Sequence, residues 1–394
     1  MNNKFNLDRI EKEYFKNSFL NNIIKKLKIE KVLRINNNNN KNNNKNNIKH
    51  ILLGNKRLEL KPYINSLEKY SIKSRSIASG VSGEVYNTTN PNIIFKKVKN
   101  HKKVKNHKKV GNEFKSLIFH YLLLEKYKNT KKNKYLCKLI EFGIIYSYRN
   151  KNYNYYYVVM EKFGKSLNNY NNTLKFNTLK FNNLFKIFYQ CCDSVSLIHN
   201  LNYLHLDIKP ENFLVDNNKI KIIDFGNVNK NNFKTSIWFG TVYFIANDWL
   251  SNSKNGKETT LTYHHDIFSL GCMFIELLYK FILNTNIFIA CPLIKYDLSY
   301  NDIIKKRTNY DEVLYISMYE TINNDLNNNF KINNKKFIQY IEFSINLIKL
   351  MCHPNPEKRC NDIHTIIKML DTFFKIKNIK INENKNIIVK RISE

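Results

Sequence analysis

The sequence predicts an α+β protein in which a small β-rich lobe precedes a larger helical lobe. Short apolar runs rich in β-branched and aromatic residues lie between residues 72 and 160, and they have the composition of strands. After Gly164 the apolar residues recur at helical intervals instead. With 43% hydrophobic and 25% charged residues, the 394-residue chain can bury a sizeable core, which excludes wholesale disorder.

One antiparallel sheet with a single main helix accounts for the β-rich lobe. Five runs are predicted as its strands: Ile72–Ile77, Glu84–Asn87, Asn92–Val98, Leu136–Gly143 and Tyr153–Met160. The helix is predicted between the third and fourth strands, over Asn112–Lys126. In the second lobe the clearest helical patterns cover Asn183–His199 and Asp266–Leu283.

Composition divides the chain into five segments. Residues 1–35 are predicted as an amphipathic helical extension, which either packs on the following domain or binds a partner helix. The Asn-rich segment 36–50 has too little apolar area to offset its ordering entropy, so we expect a disordered linker there. A connecting segment, 51–70, leads to the main domain at 71–374, and a basic tail follows at 375–394.

Basic residues dominate the charge of the chain, with 65 Lys and Arg against 32 Asp and Glu and a net charge of +33. Such a charge favours anionic partners, namely nucleic acid, acidic or phosphorylated protein, or a membrane surface. Lysine is spread over the whole chain instead of one predicted face, so we interpret the codon bias of an AT-rich genome as the main cause.

Cysteine usage and hydropathy indicate the compartment. Seven cysteines, without any C-x-x-C pair, indicate neither a disulfide framework nor a zinc site. The N-terminus lacks the apolar core of a signal peptide. The most apolar run, Ile267–Leu283, is short for a membrane span and contains Glu276 and Lys280. We therefore expect no membrane span and a reducing compartment, either the cytoplasm or the nucleus.

A glycine-containing turn between the first two predicted strands is a candidate phosphate-binding loop. Its residues are Ile77, Ala78, Ser79, Gly80, Val81, Ser82, Gly83, Glu84 and Val85. A turn that lays backbone N–H groups over phosphates needs residues without side chains at the contacts, although an ordinary hairpin turn also fits. Lys96 follows on a strand, and Glu113 opens the next helix, from which it could hold that ammonium against a phosphate. A lysine kept on an edge strand for solubility is the alternative.

The strongest chemical signal is the stretch His205–Val215 together with Asp224-Phe225-Gly226. Oxygen atoms such as those of Asn212 and Asp224 are hard ligands that suit Mg²⁺. Asp207 can accept the proton of a hydroxyl, and Lys209 can neutralise a transferring phosphoryl group. A loop of solvated charges does not explain why these residues lie between apolar segments that must be buried.

In this order the motifs resemble those of a eukaryotic protein kinase, and the similarity covers residues 71–374. The resemblance implies a bilobal fold that binds ATP and Mg²⁺, with a small antiparallel β-sheet lobe carrying one main helix and a larger α-helical lobe. It implies that Lys96, paired with Glu113, contacts the α and β phosphates. It further implies that Asp207 is the catalytic base and that Lys209 stabilises the transferring phosphate. Asn212 and Asp224 would be the two Mg²⁺ ligands.

The same resemblance assigns an adenine site and a substrate loop. Met160 would be the gatekeeper, and backbone groups of Glu161 and Phe163 would bond the adenine edge. Gly240-Thr241 is similar to the loop that receives the substrate hydroxyl, and a threonine there implies specificity for Ser and Thr. Three apolar residues would enclose the adenine ring: Val85, Ile94 and Leu214.

Four motifs depart from the family pattern. Ala78 stands where the first glycine of the loop belongs, and Ile94 replaces the alanine beside the adenine. Leu206 replaces an arginine that normally pairs with an activation-loop phosphate, so we hypothesise that activity does not depend on phosphorylation there. Ala246-Asn247-Asp248 replaces Ala-Pro-Glu, so a carboxylate one methylene shorter must reach Arg359.

The sequence therefore predicts a serine/threonine kinase that uses ATP and Mg²⁺ to phosphorylate protein substrates. Its subfamily stays unassigned, because Gly164–Leu167 resembles casein kinase 1 relatives and Leu206 is similar to Wee1-like kinases. The main alternative is a pseudokinase that binds nucleotide and acts as an interaction scaffold. A nucleic-acid module has no supporting motif, and a small-molecule phosphotransferase is disfavoured because Gly240–Asp248 suits a peptide. Oligomeric state stays open.

Overall fold

The computed structural model describes residues 49–53, 56–62, 72, 75–79, 83–98, 108–146, 154–170, 178–283, 300–330 and 335–375. The predicted helix at 1–35, the Asn-rich linker up to residue 48 and the tail after residue 375 lie outside these ranges. The chain divides into two compact units. Unit 1 comprises Met1–Phe114 and Lys138–Lys162, and unit 2 comprises Lys115–Cys137 and Phe163–Glu394.

Unit 1 contains a seven-stranded sheet whose strand order is β1-β2-β6-β7-β5-β4-β3. Its strands are β1 (Lys49–Leu53), β2 (Lys56–Pro62), β3 (Ser76–Ser79), β4 (Gly83–Asn87), β5 (Ile93–Val98), β6 (Leu139–Tyr146) and β7 (Asn154–Glu161). Helix α1 (Lys108–Tyr127) begins in unit 1 and continues into unit 2. The five predicted strands and the predicted helix all exist, with ends shifted by up to four residues.

Strands β1 and β2 lie where the sequence analysis predicts only the end of a linker and a connecting segment. They form a hairpin in which Leu53 opposes Lys56, and β2 runs parallel to β6, so the sheet is larger than predicted and not wholly antiparallel. In β2, Leu58 and Leu60 alternate with charged residues, which is the period of a strand exposed on one side. This alternation is short, and it lies in the segment predicted only as a connection to the main domain.

The core of unit 1 lies on one face of this sheet. Phe95, Tyr157 and Val159 are 1%, 1% and 0% exposed, and the rings of Phe95 and Tyr157 stack with their centroids 5.3 Å apart. Tyr86 and Ile93 pack against them. Because side chains alternate along a strand, the neighbours of these residues project from the opposite face.

Unit 2 is mainly helical. Its helices are α2 (Thr178–His199), α3 (Asn247–Lys254), α4 (Tyr263–Leu278), α5 (Tyr300–Thr308), α6 (Glu312–Phe330), α7 (Lys335–Met351) and α8 (363–375). Short strands join them as β8 (Lys165–Ser166), β9 (Tyr203–Leu204), β10 (Phe213–Asp216), β11 (Lys219–Ile222), β12 (Asn229–Lys230), β13 (Phe233–Thr235) and β14 (Thr259–Leu261). The molecule is thus an α+β protein. The helix predicted to end at Leu283 ends at Leu278 and continues as one π-helical segment, Tyr279–Leu283.

Aromatic side chains from α2, α4 and α7 form the core of unit 2. Phe185 stacks on Phe274 at 6.0 Å between centroids, and Phe181 stacks on Tyr340 at 5.1 Å. All four side chains are at most 3% exposed. Within the described ranges, no helix combines the length and the apolar composition that crossing a membrane demands.

Candidate active site

A β-hairpin brings two of the predicted metal ligands to one place in unit 2. In the pairing of β10 with β11, Phe213 opposes Ile222, so the preceding Asn212 lies beside Ile223 at the open end of the hairpin. The Ile223 N–H donates to the Asn212 carbonyl at 2.9 Å, and Asp224 follows immediately. The hairpin register therefore places Asn212 and Asp224 at the same end of the hairpin.

The turn of this hairpin shows why residues 213–222 form a tight β-hairpin. Asp216 opposes Lys219, which leaves a two-residue connection made of Asn217 and Asn218. Both have positive φ angles, 46° and 62°. That conformation belongs to a type I′ turn, which matches strand twist and which asparagine tolerates better than most residues.

The Asn212 amide also fixes the predicted catalytic base. Its Nδ2 donates to the Asp207 carbonyl at 2.7 Å and to Asp207 Oδ2 at 3.1 Å. Because the amide nitrogen is used in this way, the acceptor that Asn212 can offer a cation is its side-chain oxygen. With the carboxylate of Asp224, this makes a pair of hard oxygen ligands that fits Mg²⁺.

Asp207, Lys209 and Thr241 form a closed triangle of polar contacts. The Lys209 ammonium lies 2.9 Å from Asp207 Oδ2 and donates to the Thr241 hydroxyl at 2.7 Å. That hydroxyl donates to Asp207 Oδ1 at 3.0 Å. The resemblance assigned base, phosphate-binding lysine and substrate loop separately, and the structure brings all three together.

The buried ring of His205 joins the two halves of this site. The Asp207 N–H donates to His205 Nδ1 at 3.3 Å, so the ring proton is on Nε2, which lies 3.3 Å from the Ile223 carbonyl. His205 is 0% exposed. The His205 ring therefore links the backbone of Asp207 to the backbone of Ile223, which directly precedes Asp224.

Asp266, at the start of α4, anchors the loop that carries the base. Its carboxylate accepts from the His205 N–H at 2.7 Å and the Leu206 N–H at 2.9 Å, and it lies 2.9 Å from His199 Nε2. Burial alone would raise the pKa of Asp266, but the hydrogen bonds and charges of His199 and His205 lower it. The carboxylate thus stays ionised in the core.

Two non-glycine residues of the site adopt left-handed backbone conformations. Leu206 and Asp224 adopt positive φ angles of 60° and 63°, a region that residues other than glycine seldom occupy. Gly240 has φ +95°, and a Cβ there would lie 2.8 Å from the Leu206 carbonyl oxygen. Gly240 is therefore required both by its conformation and by its close approach to the catalytic loop.

Phe225 fastens the segment after Asp224 into unit 2. Its ring is 1% exposed and lies 5.8 Å from Phe119 and 5.2 Å from His120, and its N–H donates to Ser116 Oγ at 3.0 Å. Burial lowers the pKa of His120 to about 4, so this contact is made by a neutral imidazole. The C-terminal part of α1 thus holds Phe225 and, with it, the backbone at Asp224.

In unit 1, the sheet register collects predicted nucleotide-binding residues on one face. Val85 opposes Lys96, Lys96 opposes Val158, and Ile94 opposes Met160. Opposed residues on neighbouring strands share a face. Val85, Ile94, Lys96 and Met160 are half-buried, whereas the other face carries the fully buried Phe95. The face that holds Lys96 is therefore the more open one.

The predicted phosphate loop is only partly described. Gly80, Val81 and Ser82 lie outside the described residues, as do the side chains of Ala78 and Glu113, although Glu113 falls within α1. The flanks form the hairpin of β3 and β4, in which Ser79 opposes Glu84 and Ala78 opposes Val85. Ile77 is 51% exposed, and Gly83 begins β4. The Lys96–Glu113 pair remains a prediction.

One backbone group of the predicted adenine site is already used in a hydrogen bond of the sheet. The Glu161 N–H donates to the Lys138 carbonyl at 2.9 Å, so an adenine base would have to bond the Glu161 carbonyl oxygen instead.

Two further residues of the predicted adenine site lie in unit 2. Leu214 is half-buried on the face of β10 opposite to the buried Phe213. The Phe163 ring lies under the Lys221 ammonium, 4.9 Å from its centroid.

The shortened carboxylate at the start of α3 does reach its arginine. Asp248 Oδ1 lies 3.1 Å from Arg359 Nη2, and Asp248 Oδ2 lies 3.1 Å from His265 Nε2. Arg359 is 3% exposed and His265 is 2% exposed. His265 was not predicted from the sequence, although its place directly before Asp266, in the predicted start of a buried helix, was a signal that could have found it.

Comparison with known proteins identifies the family of the chain. Residues 71–371 match the protein kinase domain family. A probable serine/threonine-protein kinase of Dictyostelium discoideum is 41% identical over 90 residues, which is 23% of this chain and 9% of that protein. A second such kinase from the same organism is 34% identical over 147 residues, or 35% of this chain and 9% of that protein.

A relative with lower identity is also named as a kinase. The citron rho-interacting kinase of Rattus norvegicus is 31% identical over 142 residues, which is 34% of this chain and 7% of that protein. The chain thus spans less than a tenth of the length of these relatives. Because the kinase-domain match covers more than half of the chain, and relatives named as serine/threonine kinases share its sequence, the chain belongs to the eukaryotic serine/threonine protein kinase superfamily.

Proposed function

We propose that this chain is an active serine/threonine kinase that transfers the γ-phosphoryl group of ATP to hydroxyl groups of protein substrates, with Mg²⁺ as cofactor. The triangle of Asp207, Lys209 and Thr241 beside Asn212 and Asp224 carries the proposal. A nucleotide-binding scaffold has no need of a base, a phosphate-binding lysine and two hard oxygen ligands in one place.

Each residue has a defined task in the proposed reaction. The Asp207 carboxylate orients the substrate hydroxyl and takes its proton as the oxygen bonds to phosphorus and ADP departs. Lys209 offsets the negative charge of the phosphoryl group during transfer. Mg²⁺, held through Asn212 and Asp224, would supply charge neutralisation at the phosphates. Lys96 would contact the α and β phosphates.

Replacement of the base tests the proposal. We expect Asp207→Asn to lower the rate of phosphate transfer to a generic basic protein by about 10²- to 10⁴-fold, the usual contribution of a general base. Asp216→Asn is the matched control, because Asp216 is an exposed carboxylate at the other end of the β10–β11 hairpin. Equal rates for wild type and Asp207→Asn would contradict the enzyme and favour the pseudokinase.

The pseudokinase remains the second candidate, because Ala78 and Leu206 replace residues that active kinases usually carry. It predicts nucleotide binding without transfer. Nucleotide affinity and transfer rate, measured on the same preparation, separate the two candidates. Tight binding of ATP together with no labelled protein product would establish the scaffold.

A further inference from the structure

Three side chains that can ligate metal ions meet where two helices of unit 2 begin. Asp248 lies in the first turn of α3, and His264 and His265 lie in the first turn of α4. One ligand atom from each side chain lies within 4.8 Å of those of the other two. None of the three residues has a task in the proposed phosphate transfer, so the cluster calls for an explanation of its own.

The ring of His265 carries a buried nitrogen atom that the surrounding protein does not use. His265 is 2% exposed, and its Nε2 has no hydrogen-bond partner in the described part of the chain. Asp248 Oδ2 lies only 3.1 Å away, but the two atoms are not oriented for a hydrogen bond. Because buried polar atoms are seldom left unsatisfied, this nitrogen indicates a ligand.

The spacing of these two atoms fits a shared metal ion. Zn²⁺ bonds histidine nitrogen and carboxylate oxygen at about 2.0–2.2 Å in tetrahedral sites, which puts two ligand atoms about 3.4 Å apart. The 3.1 Å between Asp248 Oδ2 and His265 Nε2 is close to that value. Since the cluster spans at most 4.8 Å, the half-buried His264 has to move closer by no more than about 1.4 Å.

The other ring nitrogen of His265 has the surroundings that metal-binding histidines require. Nδ1 lies 3.0 Å from the Thr262 nitrogen and 3.2 Å from the Thr262 carbonyl oxygen. It can accept from the first or donate to the second, so both neutral tautomers are allowed. When Nδ1 donates to the carbonyl, Nε2 has a free lone pair. Histidine ligands almost always donate their second N–H in this way, and a metal would select this tautomer.

Asp248 divides its two oxygen atoms between an arginine and the cluster. Its Oδ1 lies 3.1 Å from Nη2 of Arg359, which is 3% exposed. Carboxylates that bind metals are commonly hydrogen-bonded by a neighbour, which orients them. The guanidinium also repels a second cation, but the carboxylates of Asp248 and the adjacent, fully buried Asp266 offset part of this repulsion. Arg359 therefore leaves Oδ2 available to an ion.

We propose that Asp248, His264 and His265 form a binding site for one divalent transition-metal ion, with Zn²⁺ as the ion favoured by these ligands. Two imidazoles and a carboxylate suit such an ion, whereas Mg²⁺ and Ca²⁺ prefer oxygen ligands. Three protein ligands leave one tetrahedral position for water. Asp248 and His264 are half-buried and give the ion a route of entry. The bound ion joins the beginnings of α3 and α4.

A bound water molecule is the competing explanation of the unused nitrogen. A cavity of about 10 Å³ lies beside His265, and Asp266 and Ser269 also line it. This volume is at the lower limit for one water molecule. Water would satisfy His265 Nε2, but it would not account for the approach of two further metal-ligating side chains to that atom. The cluster as a whole therefore favours the metal.

Titration of the full chain with Zn²⁺ tests the site. In excess Mg²⁺, after removal of metals by a chelator, we expect one equivalent of Zn²⁺ to bind in competition with a chromophoric chelator. Zn²⁺ should also raise the urea midpoint, because an ion that binds the folded state stabilises it. His265→Gln and Asp248→Asn should each weaken binding at least tenfold. The matched control is His364→Gln, at an exposed histidine outside the cluster, which should bind as wild type.

Two further measurements keep the test valid should a buried variant fail to fold. His264→Gln changes a half-buried ligand and should also weaken Zn²⁺ binding at least tenfold. Anomalous X-ray scattering from wild-type crystals soaked in Zn²⁺ should show a peak between the three side chains. Wild-type affinity in His264→Gln, no tightly bound equivalent, or a peak only elsewhere would overturn the proposal. A water molecule alone at His265 Nε2 in those crystals would overturn it as well.

Discussion

Thr241 is the residue that ties the substrate loop to the catalytic loop. Its hydroxyl accepts from Lys209 at 2.7 Å and donates to Asp207 at 3.0 Å, so it fixes both side chains before a substrate arrives. A serine could make the same two contacts, whereas an alanine could make neither. The hydroxyl, more than the size of the side chain, is therefore the feature that matters here.

Substitution of Thr241 should separate these two properties. We expect Thr241→Ala to lower kcat/KM for a protein substrate by about tenfold, since hydrogen bonds to charged groups contribute about 1.5–3 kcal/mol. Thr241→Ser should stay close to wild type in the same steady-state assay. A serine variant as impaired as the alanine variant would show that the methyl group, and not the hydroxyl, is required.

Glu276 should give unit 2 a measurable pH dependence. The side chain is 6% exposed, and burial, with a smaller effect from the charge of Glu211, raises its pKa to about 8. Between the ordinary glutamate pKa and pH 8, the folded chain therefore keeps a proton that the unfolded chain releases. Stability is lost as the pH rises through this window, because the folded state binds more protons.

The comparison with Glu276→Gln isolates this effect. Between pH 5 and 8 the free energy of unfolding of the wild type should fall relative to the variant, by up to about 1.4 kcal/mol for each pH unit. Urea unfolding at several pH values measures the difference, with the exposed Glu320→Gln as the control. Parallel pH profiles for wild type and Glu276→Gln would contradict the raised pKa.

At the scale of elements, two short strand pairs hold the segment between Asp224 and Asp248. Strand β12 pairs with β9, and β13 pairs with β14. The Trp249 indole donates to the Ile237 carbonyl at 3.3 Å, and Ser253 Oγ accepts from the Trp238 N–H at 2.9 Å. Hydrogen bonds within unit 2 thus hold this segment in place.

The arginine that would bind a regulatory phosphate on this segment is replaced, and two of the segment's three candidate hydroxyl groups are already hydrogen-bonded. Leu206, which replaces the arginine expected to pair with one, is 4% exposed. Thr235 is 8% exposed and its hydroxyl donates to the Ile237 carbonyl, while Thr241 is hydrogen-bonded to Asp207. Ser236 is the exposed hydroxyl among the three candidate positions.

Phosphatase treatment tests independence from phosphorylation. We expect the treated protein, checked by mass spectrometry for complete removal of phosphate, to keep its rate of phosphate transfer. Ser236→Ala should likewise keep it, because the strand pairs and not a modified serine order the segment. Abolition of activity by the phosphatase, with recovery on rephosphorylation, would show that the hypothesis is wrong.

Local patterns predicted five strands and the main helix of the first lobe and two long helices of the second, whereas the shorter strands and the remaining helices of unit 2 were not predicted. Asp207, Asn212 and Asp224 stand in short motifs, so their chemistry was readable from the sequence. The contact of His265 with Asp248 joins residues of two helices, and only the packing of α3 against the start of α4 reveals it. Strands β1 and β2 were missed because β1 shows no alternation of apolar and polar residues and the alternation in β2 is short.

In the proposed function, one chain provides nucleotide contacts in unit 1 and phosphate-transfer chemistry in unit 2. The sheet register of unit 1 gathers Val85, Ile94, Lys96 and Met160 on one face. The hairpin of unit 2 gathers Asn212 and Asp224 near Asp207.

The most direct test follows the γ-phosphoryl group of labelled ATP on the full chain, with and without Mg²⁺, in the presence of a basic protein. The account predicts that label appears on serine and threonine of that protein, only when Mg²⁺ is present. Binding of ATP without any labelled serine or threonine, in a preparation that is folded by urea titration, would contradict it.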